Sequence, residues 1–304
     1  QEAGLGQWPR GCSHHERARF LCDLSAMAAM EDYTVLRKIA EGRFGTVFEA
    51  SKTSTGERVA VKKIRARRPI AGYNYDPWSR SAERELEVLS RVRHRHIVAL
   101  LDHYVGPAAA FTLLVYEYLA WDLATVLERK RPLDESEVKV IMQMLLSGLA
   151  HLHEAGVMHR DIKPANVLME GATGVLKIAD FGSSRFSPGC PLEGDSGTVL
   201  PPQGREGEEM TRDVCTRWYK SPEMLFGSID YTFSVDLWAA GCVAGELLSP
   251  EGMALFPGGS DLEQLCFIFQ GVGTAREGEW PEARRLPDFH KVEFEARDPM
   301  PFAW

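Results

Sequence analysis

Three stretches of the sequence hold residue types whose order suits the handling of phosphate. Ile39-Ala40-Glu41-Gly42-Arg43-Phe44-Gly45-Thr46-Val47 is a glycine-rich hairpin, in which missing side chains let backbone N–H groups approach phosphate oxygens. An ordinary β-turn has the same composition, and Ala40 stands where a three-glycine phosphate loop has its first glycine. Arg58-Val59-Ala60-Val61-Lys62 sets one lysine in an apolar strand pattern, where an ammonium is costly unless an anion meets it. Lys62 therefore calls for a phosphate and a carboxylate. Glu85, on the next helical stripe, is the candidate carboxylate; taken singly, a solvated helix acid is the blander reading. Farther on, Val157-Met158-His159-Arg160-Asp161-Ile162-Lys163-Pro164-Ala165-Asn166 is followed, fourteen residues after Asn166, by Asp180-Phe181-Gly182. A zinc reading of the same region fails, because His153 and His159 are six apart, not four, and do not share a helical face as an H-E-x-x-H site requires. His94/His96 and His151/His153 read as packing or surface residues.

The elements that must position these groups follow from periodicity. Tyr33–Ala40, Thr46–Ala50 and Arg58–Ile64 are β-rich runs separated by turns. Residues 80–92 place Leu86, Leu89 and Val92 on one helical stripe. Ile97–Leu101 and Phe111–Tyr118 read as two more strands, giving a five-stranded antiparallel sheet with one helix. The second half is helical: Val138, Ile141, Met142, Leu145, Leu149 and Leu152 line one face of a long helix, with Asp134 as N-cap and Glu137 three residues later. Further helices are expected at about Thr232–Leu248 and Ser260–Phe269. The fold class is α+β, a sheet part at 30–119 followed by a helical part at 120–304. Residues 1–29 are expected to be an extension outside the fold, since Met30 directly precedes the first strand pattern.

Composition narrows the function classes. The 304 residues are 44% hydrophobic and 26% charged, with 35 Lys+Arg against 43 Asp+Glu and a net charge of -8. That balance opposes non-specific attraction to nucleic acid or anionic membranes. The six cysteines hold no C-x-x-C pair, which argues against a zinc ribbon or a dense disulfide scaffold and for a reducing setting, the cytoplasm or nucleus. No window reaches the ~18 apolar residues of a membrane helix. Residues 187–210 hold four Pro, five Gly and five acids against one Arg, a composition that buries little apolar surface.

Taken in order, the glycine loop, the V-A-x-K strand, H-R-D-x-K-x-x-N, D-F-G and Ser221-Pro222-Glu223 in place of A-P-E resemble the eukaryotic protein kinases over about Tyr33–Trp304. The resemblance implies the bilobal kinase fold, ATP and Mg2+. It implies that Lys62 contacts the α- and β-phosphates and is held by Glu85, that Asn166 and Asp180 hold the metal, that Asp161 accepts the hydroxyl proton, and that Lys163 steadies the γ-phosphate. Lys163 with Thr216 looks like a Ser/Thr rather than a Tyr kinase. By the same resemblance, Ala40, Gly42, Gly45 and Val47 cover the phosphates. Adenine lies between Ala60 and Leu168 and bonds the main chain of Glu117 and Leu119, with Tyr116 guarding the deeper pocket. Asp122 either meets the ribose or caps the next helix.

Ser81-Ala82-Glu83-Arg84-Glu85 and Thr216-Arg217-Trp218-Tyr219-Lys220-Ser221-Pro222-Glu223 resemble the cyclin-dependent branch, and Leu255-Phe256-Pro257-Gly258 with Asp261-Leu262-Glu263-Gln264-Leu265-Cys266 are similar to its cell-cycle-related group, linked to cell-cycle and ciliary regulation. This implies protein substrates, an upstream activating kinase and a cyclin-like activator on the first helix. Thr211 takes the activation-loop position, and Arg84, Arg160 and Arg185 are placed to receive its phosphate. Several positions depart from the pattern. The 44-residue segment from Asp180 to Glu223 carries the acidic insert, which either masks the peptide groove or loops out. Cys215 and Lys220 replace the usual Val and Arg, weakening the expected preference for Ser/Thr-Pro, and Ser183-Ser184 replace Leu-Ala. The family's last helices, which normally supply an Arg for Glu223, are absent from the sequence. A buried Glu223 without it is expected to cost ~3–5 kcal/mol, so the sequence is expected to be either a fragment of a longer product or a truncated form, and a catalytically silent, nucleotide-binding or scaffolding form is the alternative to an active enzyme.

Overall fold

β1 (Tyr33–Gly42), β2 (Gly45–Lys52) and β3 (Arg58–Arg65) form an antiparallel meander, extended by β4 (Leu100–Val105) and β5 (Phe111–Glu117) into one sheet of order β1-β2-β3-β5-β4. The computed structural model describes residues 31–42, 45–65, 77–106, 111–129, 132–187, 216–276 and 278–300. The expectations for residues 1–29, for the insert beyond Ser187, and for Thr211 and Cys215 lie outside these. On one face of the sheet Phe48, Ala50, Val59, Val61, Leu113 and Val115 close into a core with Tyr33, Val35, Tyr104 and Phe111 at its rim. Alternation along each strand sends the neighbouring residues to the other face.

The chain divides into two compact units. One takes the described residues up to Ala82 together with Leu100–Tyr118, and the other takes Glu83–Ala99 and the described residues from Leu119 on. Helix α1 (Pro77–Arg91) buries Ala82, Glu85, Val88 and Leu89. The fourth strand overlaps the apolar run Ile97–Leu101 only at its end: it begins at Leu100 and continues to Val105. Ile97 instead bridges to Ile178, with Val98 N–H donating to the Ile178 carbonyl and Ile178 N–H to the His96 carbonyl, both at 2.9 Å. Ile97 and Val98 are apolar because they are buried there, whereas Ala99, Leu101 and most of β4 are exposed.

The second unit contains β6 (Trp121–Asp122), α2 (Leu123–Glu128), α3 (Glu135–Glu154), β7 (Val157–Met158), β8 (Val167–Met169), β9 (Leu176–Ile178) and β10 (Arg185–Phe186). It continues with α4 (Pro222–Leu225), α5 (Ser234–Leu248) and α6 (Asp261–Val272). The capping box at α3 forms as its residues predict: Glu137 N–H donates to Asp134 Oδ1 at 2.9 Å and Asp134 N–H to Glu137 Oε2 at 3.0 Å. Asp122 caps α2, accepting the Thr125 N–H at 2.7 Å. The buried stripe of α3 packs on α5 and β9. After α6 the chain continues through two short 3-10 turns and stays tied in, because Phe226, wholly buried, is ringed by Phe269, Trp280, Phe289 and Phe294 at centroid distances between 5.2 and 6.3 Å.

At Gly148 α3 comes close to its neighbours: a Cβ there would lie 2.9 Å from the His96 carbonyl oxygen and 2.9 Å from Ile178 Cδ1. Gly148→Val is expected to destabilise the protein by about 1–3 kcal/mol, read as a lower midpoint in urea unfolding; an unchanged midpoint would mean that this contact yields freely.

Candidate active site

In the sheet unit the strand register decides which side chains share a face. Val47 pairs with Lys62, Glu49 with Ala60, Ala60 with Tyr116 and Ala40 with Val47. Directly opposed residues point the same way, so Ala40, Val47, Ala60, Lys62 and Tyr116 lie on the face opposite the Phe48 core. Gly42 ends β1 and Gly45 opens β2. A Cβ on Gly45, whose φ is +148°, would fall 2.2 Å from the Lys63 carbonyl oxygen, so this position requires glycine. Lys62 is buried in spite of its charge, and neither it nor Glu85 is without a partner. Glu117 ends β5, half-buried.

Beside Glu117, a charge cluster fixes the end of the sheet. Glu49 accepts Arg37 Nε at 2.8 Å and Arg58 Nε at 2.7 Å, and Arg58 lies over the Tyr118 ring. The two arginines hold the Glu49 carboxyl below its ordinary range although burial alone would raise it.

In the helical unit the polar residues converge. Asp161 is 5% exposed, and both its carboxylate oxygens accept hydrogen bonds. Oδ1 takes the Thr216 N–H at 3.1 Å and Oγ1 at 3.2 Å; Oδ2 takes Lys163 Nζ at 2.8 Å and Asn166 Nδ2 at 3.0 Å. Lys163 also donates to Thr216 Oγ1 at 2.8 Å. Asn166 is buried and spends Nδ2 a second time on the Asp161 carbonyl at 2.8 Å. Asp180 follows β9 in the left-handed region, φ +63°, and Arg160 shares that region at +66°; they are the only such non-glycine residues among those described. Each costs about 1–3 kcal/mol and persists because its surroundings fix it. Leu168 lies on β8, its backbone opposite Asp122 on one side and Lys177 on the other, and Leu119 precedes β6, half-buried.

The fixing group for Arg160 is Asp236, which the motif reading missed. It is wholly buried on α5 and accepts Arg160 N–H on Oδ1 at 2.7 Å, His159 N–H on Oδ2 at 2.9 Å and His153 Nε2 at 2.9 Å. The available signal was one acid near the start of an otherwise apolar helix. The Arg160 side chain donates from Nε to the Ser183 carbonyl at 2.7 Å and from Nη1 to the Tyr231 hydroxyl at 2.9 Å. His159 bonds the Ala179 carbonyl through Nε2 at 3.0 Å and meets Phe181 edge-on. Of the histidine pairs read as packing or surface residues, His94 stacks on His151 with ring centroids 4.9 Å apart.

Burial pushes the Arg160 guanidinium down from its ordinary value, and the positive charges of Arg84 and Arg185 push it further, against Tyr231. Arg84 and Arg185 thus each lie close enough to act on the charge of Arg160. Glu223 differs from expectation: it is half-buried, lining an open cavity of about 830 Å³ with Trp238, Trp280 and Arg276. Solvent reaching its carboxylate screens the charge, so the penalty expected for a buried, unpaired Glu223 does not apply in full.

A carboxylate locked by four donors can orient a hydroxyl and take its proton, and a lysine at its side can meet negative charge. Comparison with known proteins agrees with this chemistry. Residues 33–289 match the protein kinase domain. The chain is 41% identical over 275 residues to cyclin-dependent kinase 20 of Danio rerio and of Homo sapiens, covering 90% of this chain and 72% of each relative. It is 37% identical over 257 residues to cyclin-dependent kinase D-1 of Arabidopsis thaliana, covering 84% of this chain and 58% of that protein.

Asp236→Asn turns one acceptor oxygen into a donor that faces donors. It is expected to destabilise the protein by about 3–5 kcal/mol, measured by chemical unfolding; a loss under about 1 kcal/mol would remove Asp236 from its organising role.

Proposed function

Because the chain belongs to the protein kinase family, in its cyclin-dependent branch, we propose that it transfers the ATP γ-phosphate to Ser and Thr hydroxyls of proteins through Asp161, and that phosphorylation of Thr211 switches it on. The observation that carries the reading is the locked Asp161 carboxylate, bonded by Thr216, Lys163 and Asn166. Phosphoryl transfer asks the protein mainly for positioning and for charge neutralisation. Asp161 aims the acceptor oxygen and receives its proton, Lys163 meets the γ-phosphate, and Lys62 meets the α- and β-phosphates.

The residues present fit a hard divalent cation. Asn166 commits its amide nitrogen to Asp161, which leaves its amide oxygen for a metal, and Asp180 adds carboxylate oxygens, the donors that Mg2+ prefers. Bound there, Mg2+ neutralises charge on the phosphates. Within the sheet unit, Ala60, on the face that carries Lys62, and the main chain of Glu117 would meet the adenine.

The switch is supported by Arg84 and Arg185, whose positive charges both act on Arg160 and would be relieved by a phosphate of about -1.5 to -2 charge. A cyclin-like activator on α1 belongs to the same proposal, drawn from the names of the relatives.

Incubation with labelled ATP, Mg2+ and a generic basic protein tests the reading, with Asp180→Asn as control. Transfer should exceed the control at least about a hundredfold and vanish on chelation of the metal; transfer no faster than the control would leave the silent, nucleotide-binding alternative. Thr211→Ala should lower transfer far more than it lowers ATP binding, and equal activity of the two proteins would refute the switch.

A further inference from the structure

Gln264 lies on α6 with none of its surface exposed, and both ends of its amide serve main chain outside its own helix. Oε1 accepts the Gly258 N–H at 2.9 Å, and Nε2 donates to the Trp218 carbonyl at 3.1 Å. Trp218 closes the ring, its indole Nε1 donating to the Gly258 carbonyl at 3.1 Å. The approach is tight: a Cβ on Gly258 would lie 2.5 Å from Gln264 N and 2.7 Å from Oε1.

Trp218 is the middle residue of the 3-10 turn Arg217–Tyr219, whose Tyr219 N–H returns to the Thr216 carbonyl at 3.0 Å. Thr216 in turn supplies two of the four donors on Asp161. The turn has other ties, but they are of another kind. Arg217 reaches Asp261 and the Gly259 carbonyl at the exposed surface, where an ion pair is worth little. Tyr219 bonds Glu246 at 2.7 Å, which leaves the Trp218 carbonyl to Gln264. A neutral amide suits the place, because it offers donor and acceptor together, whereas an ion with no surface exposed would be desolvated.

We propose that Gln264 is a positioning residue for the phosphoryl-acceptor side of the active site: it clamps the turn Arg217–Tyr219 and, through it, holds Thr216 on Asp161. The proposal rests on the phosphotransferase reading above for its meaning in catalysis, while the clamp itself is a property of the folded chain.

Two variants of the whole chain test it by hydrogen exchange and by kinetics. Gln264→Met keeps length without either bond, and Gln264→Glu keeps the acceptor for Gly258 while losing the donor to Trp218. Amide exchange at Thr216 and Tyr219 should quicken about tenfold in both variants while the amides of α3 keep their protection. KM for a Ser-Pro peptide should rise about fivefold or more, with KM for ATP within about twofold of the parent. Faster exchange confined to Gly258, with Thr216 unchanged, would overturn the proposal, as would a parallel rise in both KM values. If the parent chain transfers no phosphate, the functional reading fails and the exchange at Thr216 still decides the clamp. If either variant does not fold, the other carries both measurements.

Discussion

The buried carboxylate of Asp236 is the constraint on which the rest of the site depends. Removed from water, it is stable only while donors surround it, and those donors are the main-chain N–H groups of His159 and Arg160 together with the ring of His153. Satisfying it forces Arg160 into the left-handed region, and that turn of the backbone delivers Asp161 to Thr216, Lys163 and Asn166. The strain at Arg160 is offset by the bonds of its own side chain to Ser183 and Tyr231. A single fixed charge on α5 thereby organises a loop about 75 residues earlier in the chain.

The same economy holds at the other end of the site. Thr216 bonds Asp161 from the far side of a long segment, and it stays there because the next three residues are fastened to α5 through Tyr219 and Glu246 and to α6 through Gln264. Burial raises the Glu246 carboxyl above its usual range, and the Tyr219 hydroxyl opposes that rise. Helices whose interiors read as apolar packing thus contribute polar side chains, Asp236, Glu246 and Gln264, that meet backbone or side-chain groups of the protein. Such groups are favourable because every bond is made; removing one partner strands the other.

Much of this was legible in the sequence where the information is local. The capping box at Asp134 and Glu137, the helix stripes and a five-stranded antiparallel sheet follow from spacing, and the structure has them. Asp161, Lys163 and Asn166 lie within six residues, so their convergence needs only one turn of chain. What stayed hidden depends on partners remote in sequence. Ile97 and Val98 read as strand because burial against Ile178 leaves the same apolar signature as burial in a sheet. Asp122 allowed two roles from its type alone, and its bond to Thr125 establishes the cap. Asp236 and Gln264 carried no motif, and their significance lies in which carbonyls and N–H groups meet them.

The central claim is that Asp161 acts on the acceptor hydroxyl and not on nucleotide binding. Single-turnover phosphoryl transfer by Asp161→Asn, measured beside its ATP affinity, tests this most directly. Transfer is predicted to fall by about 10²–10⁴-fold, as for loss of a general base, with ATP affinity within about twofold; equal losses in transfer and in ATP affinity would contradict it.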